Sequence, residues 1–127
     1  MSYIYPDRAI NGLTLNAAAA NATGQTFNTG YGKGLIVVLD VTAISGTTPS
    51  VTLTIEGYDE ISGKYYTLLA GAAVSTISTT AYFIYPSMTA AANSVANSVT
   101  PTFCRVRATI AGTTPSVTAT VGVTIVE

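Results

Sequence analysis

Apolar and polar residues alternate along much of the chain with a period of two. Val51-Thr52-Leu53-Thr54-Ile55 reads apolar, polar, apolar, polar, apolar. Val117-Thr118-Ala119-Thr120-Val121 repeats the pattern, and Val123-Thr124-Ile125 continues it beyond Gly122. Successive side chains of a strand point to opposite faces, so this period predicts strands with one buried face. The polar positions are Thr and Ser, and β-branched Thr suits a pleated surface. Leu35-Ile36-Val37-Val38-Leu39 is apolar throughout, which predicts a strand covered on both faces.

Turn residues fall between these runs. Gly46-Thr47-Thr48-Pro49-Ser50 follows residues 41–44 and precedes Val51, and Pro is unfit for a central ladder. Asp59-Glu60-Ile61-Ser62-Gly63-Lys64 divides the next two runs, with Gly63 able to take the positive φ of a tight hairpin loop. The two turns predict a meander over residues 35–69. Residues 74–85 predict a further strand, firmest at Ala81-Tyr82-Phe83-Ile84-Tyr85 and ended by Pro86. A small, chargeless loop follows over residues 87–100, then a strand over residues 103–110. Residues 1–30 read as an extended N-terminal arm with a short strand near Leu13-Thr14-Leu15. Ala17-Ala18-Ala19-Ala20 is too short for a stable isolated helix. The expected fold is all-β: an antiparallel β-sandwich over residues 31–127, jelly-roll-like or Ig-like, behind that arm.

One segment occurs twice. Ile44-Ser45-Gly46-Thr47-Thr48-Pro49-Ser50-Val51-Thr52-Leu53-Thr54 matches the segment Ile110-Ala111-Gly112-Thr113-Thr114-Pro115-Ser116-Val117-Thr118-Ala119-Thr120, identical at nine of eleven positions with an offset of 66. Two copies do not make a solenoid. Either one hairpin is used twice, in related places in two sheets, or a good turn sequence recurs.

Composition narrows the function classes. A chain of 127 residues is one domain by length, with enough chain for one core. Charged residues are only 9% of it, and 48% are hydrophobic, which excludes intrinsic disorder. Five cations and a net charge of -1 give no basic footprint for nucleic acid. Mean hydropathy is +0.44, yet the longest apolar run is five residues, far short of the roughly 20 that a membrane helix needs. The N-terminus shows no basic region followed by an apolar stretch, so no targeting signal is expected.

Candidate chemistry is sparse. His is absent, and the lone Cys104 forbids an intramolecular disulfide and every C-x-x-C motif. Cys104 is expected to be a small buried hydrophobe. Glu56, Asp59 and Glu60 are the one carboxylate cluster, but they straddle a hairpin turn, where acids are normally solvated. Asp59, Glu60 and Ser62 make a poor calcium set. Gly30-Tyr31-Gly32-Lys33-Gly34 lacks the spacing of a phosphate loop. No catalytic group, cofactor or metal is therefore assigned. Arg105 and Arg107 share one strand face, where they could pair with Glu56 or Asp59 or meet an acidic strip on a partner. Eight Tyr and no Trp favour contact surfaces, since Tyr brings a rigid area and one hydroxyl. Tyr3, Ile4 and Tyr5, before Pro6, could anchor another subunit or fold back on their own sheet. So little charge near neutrality promotes association, which suits a chain covered by copies of itself or by a larger assembly.

The block from Gly46-Thr47-Thr48-Pro49-Ser50 through Ile55-Glu56-Gly57-Tyr58-Asp59, then Ser62-Gly63-Lys64-Tyr65-Tyr66, resembles small proteins encoded among the head genes of tailed bacteriophages. Tyr82-Phe83-Ile84-Tyr85-Pro86 and Cys104-Arg105-Val106-Arg107 before a Thr-rich end fit the same pattern, over roughly residues 35–127. The family often has Trp where this chain has Cys104. The resemblance implies a non-enzymatic virion protein, made in the host cytoplasm and placed on the capsid surface. It would be a decoration (cement) protein that binds the major capsid protein, itself a homo-oligomer, with a trimer expected. A tail or head–tail connector component is the structural alternative. A glycan-binding module using Tyr65, Tyr66 or Tyr82 as stacking platforms is the alternative of another class.

Overall fold

The computed structural model describes residues 8–30 and 32–127. They form β1 (Ala9–Ala18), β2 (Ala22–Thr23), β3 (Phe27–Asn28), β4 (Gly34–Asp59), β5 (Lys64–Ala70), β6 (Ser78–Ile84), β7 (Val95–Ala96) and β8 (Phe103–Val126). The chain is all-β, and the eight strands join in a single sheet. Its main path runs β1-β8-β4-β6-β7, with β2 and β3 also on β8 and β5 also on β4. Every pairing is antiparallel except the short β6–β7 pair, so the sheet is mixed rather than purely antiparallel.

Two very long strands carry the architecture. β4 has 26 residues and β8 has 24, and they pair from Gly34 with Val126 to Gly57 with Cys104. The expected meander is overturned at its first turn. Residues 46–50 do not fold β4 back on itself, because β8 supplies the ladder on both sides of them. The two copies of the repeat face one another: Ile44 pairs with Val117, and Val51 with Ile110. Those two pairs exchange under the 66-residue offset, so the copies are related by a local two-fold axis. Thr47 and Thr113, which are equivalent in the repeat, meet each other at the axis.

On each side of that pair, two residues oppose one. Gly46 faces Thr114 and Pro115, and Gly112 faces Thr48 and Pro49. This is a pair of β-bulges, which bend and twist a ladder without ending it. The prolines fall in the unpaired stretches, where a missing N–H leaves no ladder bond unmade. Gly46 and Gly112 have φ of 120° and 118°, and Thr48 and Thr114 have φ of 47° and 45°. A Cβ on either glycine would lie 2.8 Å from a threonine carbonyl oxygen of the other copy. The same residues that would make a good turn thus make a double bulge, because their partner is a second copy.

Inward positions follow the period of two. Leu35, Val37, Leu39 and Val41 are buried before the bulge, and Val51, Leu53 and Ile55 after it. On β8, Val106 and Ala108, then Val117, Ala119, Val121 and Val123, do the same. Ile36 and Val38 are only half-buried, so the apolar run at 35–39 is fully covered on one face and partly on the other. The second expected turn is present: Gly63 has φ 71° and its N–H donates to the Asp59 carbonyl at 2.9 Å. The strand expected at residues 74–85 is shorter, Ser78–Ile84, and β7 lies within the expected loop.

Residues 9–28 belong to the sheet. β1 is ten residues long where a short strand was expected, and Leu13, Leu15 and Phe27 enter the core. A Cβ on Gly12 would touch methyls of both Val106 and Val123, at 3.3 and 2.9 Å. Side chains from the two ends of β8 therefore converge over β1. Tyr3, Ile4 and Tyr5 lie outside the described residues.

Candidate interaction site around Glu56, Arg105 and Arg107

The β4–β8 register places Glu56 opposite Arg105 and Thr54 opposite Arg107. Cys104, Val106 and Ala108 point into the core. The intervening arginines therefore share the opposite face with Glu56. Glu56 is only 6% exposed although it lies on the outward face. Enclosing a carboxylate is costly unless opposite charge and hydrogen bonds meet it. Both are present. The Arg105 Nε donates to Glu56 Oε1 at 2.8 Å, and Arg107 Nη2 lies 3.2 Å from Oε2. Of the two partners weighed for the arginines, Glu56 and not Asp59 takes both.

Tyr65 covers the pair. It is the second residue of β5, beside Tyr58 on β4. The guanidinium carbon of Arg105 sits 3.5 Å from the Tyr65 ring centroid, a cation–π contact. The Tyr58 and Tyr65 rings are 4.7 Å apart and inclined at 44°. The Tyr65 hydroxyl reaches across β8 to the Thr26 hydroxyl. Tyr65 therefore lies across the outward face and shields one side of the Arg105 guanidinium.

The two arginines are not equivalent. Arg105 is 25% exposed and engaged by both Glu56 and Tyr65, whereas Arg107 is 43% exposed. The Arg107 Nε is buried and makes no hydrogen bond. One carboxylate between two guanidiniums leaves the cluster with one excess positive charge. Strands β2 and β5 add no charge beside it: Thr23 is the register partner of Arg107 on β2, and Thr67 that of Glu56 on β5.

The other candidates have structural roles. Asp59 accepts from the Ser62 hydroxyl at 2.7 Å and from the N–H groups of Ile61 and Ser62. Those bonds, the Ser62 hydroxyl first, hold its carboxyl below the ordinary value. Its oxygens are spent on closing the hairpin. Among the described residues, no three His, Cys, Asp or Glu side chains converge as a metal site. Cys104 is fully buried, and desolvation pushes its thiol up to about 12. Tyr82 is 2% exposed, with its hydroxyl buried and unpartnered, so it cannot serve as a stacking platform. Tyr65 is occupied by Arg105. Only Tyr66 of the three platform tyrosines is exposed, and with Tyr58 and Pro101 it lines an open cleft of 590 Å³.

Sequence reasoning placed Arg105 and Arg107 on one face but missed the burial of Glu56 and the role of Tyr65. The pairing depends on the register between residues nearly fifty positions apart. Comparison of the chain with protein-family models, with curated proteins and with solved structures gives no match.

Proposed function

We propose that the chain is a non-enzymatic structural protein of a tailed-bacteriophage particle, a decoration (cement) protein seated on the major capsid protein shell. One observation carries this reading: the long, continuous sheet presents an outer surface almost without charge. No ionic side chain occurs in residues 9–32, 41–55, 65–104 or 108–126. Much of what remains outside is hydroxyl or apolar, with Ile61, Ile77 and Val99 more than half exposed. A free monomer gains nothing from such a coat, whereas a component enclosed by neighbours avoids desolvating ions when it docks. Both halves of the β4–β8 ladder contribute to one core cluster, which supports the reading of a β-sandwich.

Acting as cement, the protein adds buried area across capsid subunits and binds only the mature lattice, which stabilises that state by mass action. Many weak contacts on a repeating surface give strong total retention. Homo-oligomers, trimers at local three-fold positions, fit that geometry. The test is mass spectrometry of purified particles of the encoding phage, with copy number calibrated. Hundreds of copies per particle are expected. Tens of copies would point to a tail or connector ring, and absence from the particle would overturn the reading.

A further inference from the structure

We infer that Arg107, and not Arg105, is a docking contact, and that its ligand is a carboxylate on the partner protein. The inference rests on the capsid reading above and names the chemistry of one contact within it. The two oxygens of Glu56 are divided between the arginines, so neither guanidinium has a carboxylate to itself. Arg105 is completed by Tyr65, which lies over it at 3.5 Å. Arg107 has no such ring over it: its side chain is 43% exposed, and although its Nε is buried without an acceptor, the exposed part of the guanidinium is open to a partner. Its neighbours across the sheet are Thr23 on β2 and Thr54 on β4, both uncharged.

The result is one net positive charge, fixed on a rigid sheet and surrounded by hydroxyls. Arg is suited to this, since a planar guanidinium held on one side by Glu56 can present its outer edge to a second carboxylate. Fixing the guanidinium in advance removes much of the ordering cost of that contact. A phosphate-bearing polymer is a poorer match, because a single excess charge does not build the basic track that such polymers require. An acidic side chain on a protein surface needs only one.

The experiment measures docking of the purified full chain to expanded shells of the encoding phage that lack it, across ionic strengths from about 0.05 to 0.5 M, where screening grows strong. Arg107→Gln should weaken docking about fivefold per contact at low salt and flatten the salt dependence. Arg107→Lys should retain most of both. Thr23→Glu leaves Arg107 in place but gives it an internal carboxylate, and should weaken docking in the same way. Thermal melts verify that each variant is folded. If the wild-type chain docks and both Arg107→Gln and Thr23→Glu dock equally well with the same salt slope, the inference is overturned while the capsid reading stands. If the wild-type chain does not dock at any salt, the capsid reading fails and takes this inference with it.

Discussion

The β4–β8 ladder has two halves that leave the same double bulge in opposite directions. In one, residues 34–45 pair with residues 116–126; in the other, residues 50–57 pair with residues 104–111. Their inward faces are chemically alike, built from Leu, Val, Ile and Ala. Their outward faces differ. The first half presents Ile36 beside Phe83, Met88 and Val126 around an apolar cleft of 190 Å³. The second presents Glu56, Arg105 and Arg107, with Tyr65 over Arg105. The inward pattern specifies the fold and is therefore shared. The outward pattern is free to diverge, and among the described residues the one buried charged side chain, Glu56, lies there with its two arginines.

The comparison breaks most severely at Glu56. Glu56→Ala leaves two guanidiniums facing each other with no counter-charge, and should cost about 3 kcal/mol, as removal of one partner from an enclosed ion pair does. Chemical denaturation would register it as a lower midpoint. A change below 1 kcal/mol would mean that the cluster contributes little to the second half. Next in size are the two glycines of the bulge. Gly46→Ala and Gly112→Ala each force a Cβ against a carbonyl at positive φ, costing about 2 kcal/mol. The two losses should agree within about 0.5 kcal/mol, and a clear inequality would show that the local two-fold axis is not energetically real.

A buried group beside each half makes stability fall in alkali. Burial raises the folded-state values of the Cys104 thiol and the Tyr82 hydroxyl, so the unfolded chain loses those protons first. The stability they contribute is complete below about pH 9 and declines as pH rises from there toward 12. Cys104→Ala should flatten that decline in denaturation curves taken between pH 8 and 11. A slope unchanged by the substitution would assign the alkaline loss elsewhere. The smallest effect belongs to Tyr82→Phe. It removes a buried hydroxyl that has no partner and should be neutral or stabilising by up to about 1 kcal/mol. A loss larger than that in the thermal melt would reveal a bond to that hydroxyl.

Much of the fold was legible in the alternation. Val51, Leu53, Ile55, Val117, Ala119, Val121 and Val123 all face inward as the period of two requires. The hairpin at Gly63 was legible because a tight loop needs a residue that accepts positive φ. The bulge was not, because Gly-Thr-Thr-Pro-Ser reports only that the backbone bends. Whether a bend returns a strand to itself depends on what competes for its ladder, and that competitor lies 66 residues away. β1 was underestimated since Asn11, Gly12 and Asn16 interrupt its pattern, and only Leu13 and Leu15 supply fully buried apolar side chains, with Ile10 and Ala18 packed at the edge of the core. Glu56 was unreadable as a buried residue because its position in the alternation is outward, and its enclosure comes with the two arginines brought to it by β8.

β8 is central to the sheet, yet it follows the other seven described strands along the chain. β1, β2, β3 and β4 all take it as a hydrogen-bonding neighbour. Until residues 103–126 have emerged, the first strands lack the edge they are to pair with. Pairing of those strands must then wait for synthesis to reach β8, and closing such distant pairings is slow. During that interval β4 carries an open ladder whose natural complement is its own repeat, on this chain or on the next one being made. The duplicated segment that unites the finished sheet is thus also the place where two nascent chains are most apt to exchange strands.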